Sequence, residues 1–336
     1  MQLDWKNLGF AYLPTAGFIQ CDYENGAWGP LQSKTDPHLP IHIAANCLHY
    51  GQACFEGLKA FTTRDGHTVL FRPDRNAERL QQSAERICMQ APSVELFVAA
   101  CQAAIALNRD FVPPHGTGAS LYLRPLLIGT EATIGIKPSA TYTFVVMVTP
   151  VGPYYKDGFH PVEAVVIEDY DRAAPLGTGR AKMAGNYAAS LKPMLQAKKM
   201  GYPINLFADP KEKKYVDEFG TSNFIGITRD GQYKTPSSSS ILQSITNDSL
   251  QILARDMGLQ VVKEPIALAD LGQFTEVGAC GTAAVITPIY SVTWKDKIYT
   301  FGKKNEAGDT LTRLYQNLQG LQYGEIEDKY AWLVEA

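Results

Sequence analysis

Between Pro150 and Gly158 the chain reads Pro-Val-Gly-Pro-Tyr-Tyr-Lys-Asp-Gly, and no other feature limits its architecture as strongly. Proline removes a backbone donor and glycine adds conformational freedom, so the run interrupts helical and strand periodicity alike. With 336 residues the chain is long enough for a core on each side of the break. The expected organisation is therefore a small N-terminal α/β domain over 1–149, a linker over 150–158 and a large C-terminal domain over 159–336. Strands and helices mix on both sides, which gives a two-domain α/β (α+β) fold class.

Periodicity supplies the elements. Apolar spacing predicts a helix from Asp74 to Met89, with Leu80, Ala84, Ile87 and Cys88 on one face. A second helix follows Ser93 as N-cap and runs to about Leu107. The β-branched and aromatic stretches Ser120 to Ile128 and Tyr142 to Thr149 read as buried strands. Beyond the break, strands are expected at Val162 to Glu168, at Ile204 to Ala208, and around Tyr215 and Phe224. Others are expected at Val261, Phe274 to Val277 and Tyr290 to Thr300. Helices are expected after Asn186 as far as Gly201, from Ile245 to Met257 ahead of Gly258, and near Thr310 to Leu318. The serines from Ser237 to Ser240 read as a loop.

Charge narrows the functional classes. A net charge of −3 without a basic stripe points away from nucleic acid and anionic membrane surfaces and toward small-molecule chemistry. No apolar run reaches the roughly 20 residues of a membrane helix. The start, Met1-Gln-Leu-Asp-Trp-Lys, lacks the pattern of a secretory signal. The six cysteines form neither a CxxC pair nor metal-ligand spacing, and the histidines form no HExxH cluster, so reduced thiols, a cytoplasmic location and no protein metal site are expected. Gly116-Thr-Gly118 and Gly177-Thr-Gly179 each begin a dinucleotide fingerprint that neither completes, and there is no P-loop or GxSxG elbow.

The segment richest in chemistry is Gly177-Thr-Gly-Arg-Ala-Lys182-Met-Ala-Gly-Asn-Tyr187. A lysine stands at the mouth of a glycine-containing turn, before a helix of small residues that would let a planar ring approach the backbone. Apolar surroundings favour the neutral amine that imine formation needs.

Lys182-Met-Ala-Gly-Asn-Tyr187 resembles the K-x-G-G-N-Y motif of fold-type IV, or class IV, pyridoxal-phosphate aminotransferases. Further motifs of that family follow in order. Tyr215-Val-Asp-Glu218-Phe-Gly-Thr-Ser-Asn223 is similar to its acid-bearing segment, and Ile241-Leu-Gln-Ser-Ile-Thr246 to its phosphate cup. Gly281-Thr282-Ala283-Ala284 with Ile286-Thr-Pro288 is similar to its substrate-carboxylate loop. Upstream stand Leu48-His-Tyr50-Gly, Phe55-Glu-Gly57, Arg72-Pro with Arg79-Leu80, and Leu121-Tyr122-Leu-Arg124-Pro125. The matches run from about residue 48 to 288, and Glu327-Asp-Lys-Tyr-Ala-Trp332-Leu resembles the family's C-terminal end.

The resemblance implies a pyridoxal 5'-phosphate cofactor carried by Lys182, which would also move the proton during transamination. It implies that Glu218 pairs with the ring nitrogen and Tyr187 with the ring's phenolate oxygen. Arg79, the backbone N–H groups of Ile245 and Thr246, and Thr282 would hold the phosphate. The substrate α-carboxylate would meet the amides of Thr282 and Ala283 with Tyr122. Tyr50, Phe55 and Tyr154 would form an apolar wall, and Arg124 would take a distal carboxylate. Tyr50 and the loop around Ile134 would reach a neighbouring subunit, which implies a homodimer. The implied activity is exchange between leucine, isoleucine or valine and 2-oxoglutarate, with small amino and oxo acids as the partners.

Three positions depart from the pattern: Ala184 replaces the first glycine of the lysine motif, and Gln243-Ser244 stands where Pro-Gly is frequent. On the same fold, D-amino-acid aminotransferase and aminodeoxychorismate lyase are the alternatives; a noncatalytic binding protein is another. Tyr122-x-Arg124-Pro with Thr282-Ala-Ala resembles the branched-chain group most.

Overall fold

The computed structural model describes residues 3–152 and 159–336, so that most of the Pro150–Gly158 run lies outside the described residues. Pro150 and Val151 complete a strand, and sheet pairing rather than a linker fixes their conformation. Contacts divide the chain into two units. The first holds Met1–Tyr154, Ala181–Gly185 and Leu321–Ala336; the second holds Tyr155–Arg180 and Asn186–Gly320.

The first unit is a nine-stranded, wholly antiparallel sheet. Its strands are β1 (Phe18–Glu24), β2 (Ala27–Trp28), β3 (Gln32–Lys34), β4 (Ala53–Phe55), β5 (Leu58–Thr62), β6 (Thr68–Phe71), β7 (Ser120–Gly129) and β8 (Tyr142–Val151), with Leu333–Glu335 added antiparallel to β6. The helices are α1 (Asn46–Tyr50), α2 (Pro73–Arg86) and α3 (Val94–Leu107). Strand alternation explains the layering. Leu121, Leu123 and Leu127 of β7, Leu58 and Ala60 of β5, and Phe144, Val146 and Val148 of β8 face one way. They pack with Leu80 and Ala84 of α2 and Phe97, Ala100 and Ala104 of α3 into one core. The alternate residues, among them Lys59, Tyr122 and Arg124, occupy the opposite face.

The predicted cap of α3 holds. Ser93 Oγ accepts from the Leu96 amide at the start of α3. The α2 pattern was expected to reach Met89, but the helix ends at Arg86. Cys88 adopts a φ of 55°, its amide donates to the Glu85 carbonyl, and the Met89 amide returns to Ala84, a left-handed C-terminal cap. Cys88 is consequently exposed, not on the helix's apolar face.

The second unit is a nine-stranded mixed sheet. It contains β9 (Val162–Ile167), β10 (Ile204–Ala208), β11 (Val216–Phe219), β12 (Asn223–Thr228), β13 (Gln232–Pro236), β14 (Gln260–Glu264), β15 (Phe274–Gly281), β16 (Val285–Trp294) and β17 (Lys297–Thr300). Strand β9 lies parallel to β10 and β16, and β13 parallel to β14, as helical crossovers require. Its helices are α4 (Ala184–Ala189), α5 (Leu191–Lys199), α6 (Ile245–Asp256) and α7 (Asp309–Gln322). One core joins Phe219, Phe224, Phe274 and Ile289 across the sheet; Val165 and Ile167 meet Ala197 of α5 on the other face of β9. The helix expected after Asn186 starts two residues earlier and breaks at Ser190. The stretch Tyr290 to Thr300, read as one strand, turns at Lys295 with φ 54° into the β16–β17 hairpin.

Candidate active site

On the face of the first sheet away from its core, antiparallel pairing sets Lys59 of β5 opposite Tyr122 of β7, and Phe55 of β4 opposite Leu126. Arg124 lies two residues along β7 on the same side and donates from its guanidinium to the Tyr122 hydroxyl at 3.0 Å. Its guanidinium carbon is 4.7 Å from the centre of the Phe55 ring. The Phe55 amide donates to the Lys182 carbonyl, and the Lys182 Nζ stands 5.0 Å from the same ring. The Lys182 amide is held by Ser83 Oγ of α2 at 2.8 Å. One aromatic ring is thus flanked by an arginine and a lysine, beside a tyrosine hydroxyl. A side chain on residue 57 would collide with that hydroxyl, so Gly57 is what lets Tyr122 sit so close to the strand.

Arg79 lies on the buried face of α2, not on a solvated one. Its Nε and Nη2 grip the two oxygens of Glu56 at 2.8 and 2.7 Å, with Glu56 fully buried. Asn76 adds a 2.7 Å hydrogen bond to the same carboxylate. A bidentate pair of this kind fixes the guanidinium plane. Tyr50 is placed differently from the Phe55 group: it is partly exposed, and its hydroxyl donates to the Ile134 carbonyl. Tyr154 lies outside the described residues.

In the second unit Glu218, 4% exposed at the end of β11, accepts from the Leu242 amide and from Asn223 Nδ2, both at 3.0 Å. Burial pushes its carboxyl up, while the neighbouring Arg172 pulls it back. Tyr187 lies on α4, whose Asn186 is fastened to Thr178 by hydrogen bonds from the Asn186 side-chain amide and from the Thr178 hydroxyl. Ile245 and Thr246 form the first turn of α6. There Ser244 is the N-cap, its Oγ accepting from the Asn247 amide at 3.1 Å. The amides of Ile245 and Thr246 therefore have no acceptor within the helix, and the dipole favours an anion beside them. Thr282 and Ala283 make the turn between β15 and β16.

A family model described as amino-transferase class IV matches residues 53–292. The chain belongs to the class IV aminotransferases. It is 45% identical to a Haemophilus influenzae branched-chain-amino-acid aminotransferase, over 99% of this chain and 98% of that one. Among solved structures it is similar to the Escherichia coli branched-chain amino acid aminotransferase, with a TM-score of 0.82 and 28% identity over 96% of this chain and 99% of that one. It is also similar to a T.th. branched-chain amino acid aminotransferase complexed with N-(5'-phosphopyridoxyl)-L-glutamate. There the TM-score is 0.77 at 25% identity, over 96% and 99% of the two chains.

The class IV aminotransferase fold accounts for the two-sheet α/β architecture expected from the motifs. Taken unit by unit, the donors suit pyridoxal 5'-phosphate: the first unit carries an amine for its aldehyde and an arginine for its phosphate, the second a buried acid for its ring nitrogen and two helix-terminal amides for its phosphate. Three residues with evident work in these clusters went unassigned at the level of sequence. Glu56 stood inside the Phe55-Glu-Gly57 motif, where an acid beside a strand-ending glycine could have been matched to Arg79. Lys59 follows two residues later, and its strand alternation would have placed it with Tyr122. Arg172, in the charged run Glu168-Asp-Tyr-Asp-Arg172, reads as an exposed loop residue and carries no signal of its burial.

Proposed function

We propose that the chain transfers the amino group of L-leucine, L-isoleucine or L-valine to 2-oxoglutarate, with pyridoxal 5'-phosphate held on Lys182, giving branched-chain 2-oxo acids and L-glutamate. The observation that carries this reading is the Phe55 ring with the Lys182 amine and the Arg124 guanidinium at its flanks. A ring takes an aliphatic branch; an arginine beside it takes the distal carboxylate of the second substrate. One pocket serves both guests only with such a mixed wall. The similarity to the Haemophilus influenzae aminotransferase supports the donor class, and the phosphopyridoxyl-glutamate complex supports both the cofactor and glutamate.

The cofactor supplies an aldehyde that condenses with amines and a ring that draws electrons away from the substrate Cα. The chain's residues do the rest. Lys182 would hold the cofactor through its ε-amine, and that amine would carry the proton at the substrate Cα, as base and acid in turn. Glu218 keeps the ring nitrogen protonated. Arg79, the Ile245 and Thr246 amides and Thr282 anchor the phosphate, and Tyr187 hydrogen-bonds the ring oxygen. Thr282, Ala283 and Tyr122 would orient the substrate α-carboxylate; Tyr154, with Tyr50 from the second copy of the chain, is assigned to the apolar wall. The active species is a homodimer in the cytoplasm. Exposed Ile43, Leu48, Ile134 and Ile136 around the Tyr50–Ile134 hydrogen bond support the dimer, and six free thiols support a reducing compartment.

Borohydride reduction of the holoenzyme followed by peptide mapping is expected to leave the pyridoxyl group on Lys182 alone; a label elsewhere overturns the assignment. L-leucine, and not D-alanine, should convert the bound cofactor to its amine form. The reverse preference would place the chain with the D-amino-acid aminotransferases.

A further inference from the structure

Arg172 is 8% exposed, deep in the second unit, in a place where an unbalanced guanidinium would be costly. Its Nε lies 2.7 Å from Glu218 Oε1. That N–H does not point squarely at the oxygen, so the contact is Coulombic more than a directed hydrogen bond. Its Nη2 donates to the Gly179 carbonyl at 2.6 Å and to the Ser240 carbonyl. Asp217 Oδ2 is 4.0 Å from Nε, and its other oxygen accepts from Ser240 Oγ at 2.7 Å. A Cβ on Gly179 would run into the Ser240 carbonyl, so the turn and the serine loop touch backbone to backbone where the arginine binds both.

We infer that Arg172 is a positioning residue: it holds Glu218 as a carboxylate and ties the turn that leads into Lys182 to the loop that leads into α6. This rests on the reading of Glu218 as the partner of the cofactor's ring nitrogen. Two acids face one guanidinium in this cluster; burial raises both carboxyls and Arg172 pulls both back, and when both are ionised one negative charge is left over. A protonated ring nitrogen is the cation that balances it. The Cys280 thiol beside Glu218 is pushed up by burial and stays neutral, so it does not alter the balance. Burial drives Glu218 toward the neutral acid, and Arg172 is the principal influence against it. Without the arginine the acid keeps its own proton and no longer holds one on the ring. A lysine preserves the charge, but a planar fork is needed to reach the carboxylate and two carbonyls together.

The test is apoenzyme reconstituted with pyridoxal 5'-phosphate carrying ¹⁵N in the ring, read by NMR. Arg172→Gln removes the charge and keeps an uncharged polar group near the Nε position, short of the two carbonyls that Nη2 binds. Its ring nitrogen should move from the protonated toward the unprotonated shift, with kcat lowered about tenfold or more and KM for leucine changed less than about twofold. Arg172→Lys should restore the protonated signal. In a Glu218→Gln background, Arg172→Gln should cost little further kcat, since both act on one nitrogen. A wild-type nitrogen signal in the Gln variant overturns the proposal, as do fully additive losses. If neither variant folds, Arg172 belongs to the scaffold alone and the proposal is wrong. An unprotonated ring in the wild-type enzyme would instead refute the role given to Glu218.

Discussion

Gly57 and Tyr122 meet across two strands with no space for a methyl group between them. Gly57→Ala must therefore displace the Tyr122 hydroxyl and with it the hydrogen bond from Arg124. The expected result is a KM for 2-oxoglutarate raised about tenfold, roughly 1.4 kcal/mol, with a smaller change for leucine, measured by steady-state kinetics. Lys59 is half-buried as a residue with its ammonium enclosed, and burial pulls its pKa down to about 8. Because the lowered group is cationic only below that pH, its attraction for an anionic substrate is present in neutral solution and fades as pH rises through about 8. Tyr122 stands opposite Lys59, and Arg124 and Asp22 lie on the same face of the sheet. KM for 2-oxoglutarate should climb on passing pH 8, and Lys59→Met should flatten that climb; a profile unchanged by the substitution would remove Lys59 from the pocket. At Glu56 the issue is charge left alone. Glu56→Ala strands the buried Arg79 guanidinium, which should cost about 3 kcal/mol in denaturant titration and weaken phosphate binding as the arginine loses its fixed plane.

The elements that carry the site announced themselves to different degrees. Helix α3 was legible because a serine cap and the pattern after it act within one turn, and the structure seats Ser93 where that local chemistry predicts; α6 was legible as an element, while its Ser244 cap is a finding of the structure. Ser244→Ala tests the cap directly. Loss of the acceptor for the Asn247 amide should cost about 1 kcal/mol in stability. It should also speed cofactor loss on dialysis, since the frayed turn contains the Ile245 and Thr246 amides. Lys182 and Glu218 were legible only through their motifs; neither has a periodic signature, and each alone would read as a loop or surface charge. Arg172 was illegible for a physical reason. Its burial depends on acceptors from residues 179, 218 and 240, which no local pattern joins to residue 172. The break at Ser190 and the turn at Lys295 were missed likewise, because helix and strand propensities run on through both.

At the scale of the whole molecule, long-range pairing decides what local reading cannot. The last strand, Leu333–Glu335, joins β6 in the first sheet, with Trp332 against Phe71 and under the Arg72 guanidinium at 4.8 Å. A cut at one boundary in the chain would have assigned that strand to the C-terminal half. The same first unit presents the apolar surface on which the proposed dimer depends. Ile134 and Ile136 are 73% and 89% exposed, and the segment bearing them is fixed to the α1 region by an Ala45–Ala132 bridge and the Thr133 amide on the Ala44 carbonyl. Exposed isoleucines on an anchored loop are costly in water, and a second copy covering them is the simplest relief. Ile134→Glu places a charge at that surface while leaving the Tyr50 hydrogen bond intact, because Tyr50 binds the backbone carbonyl of residue 134. The variant should sediment as a folded monomer with unchanged circular dichroism and little turnover, while the parent sediments as a dimer. A variant that remains dimeric and active would show that the interface lies on another face of the molecule.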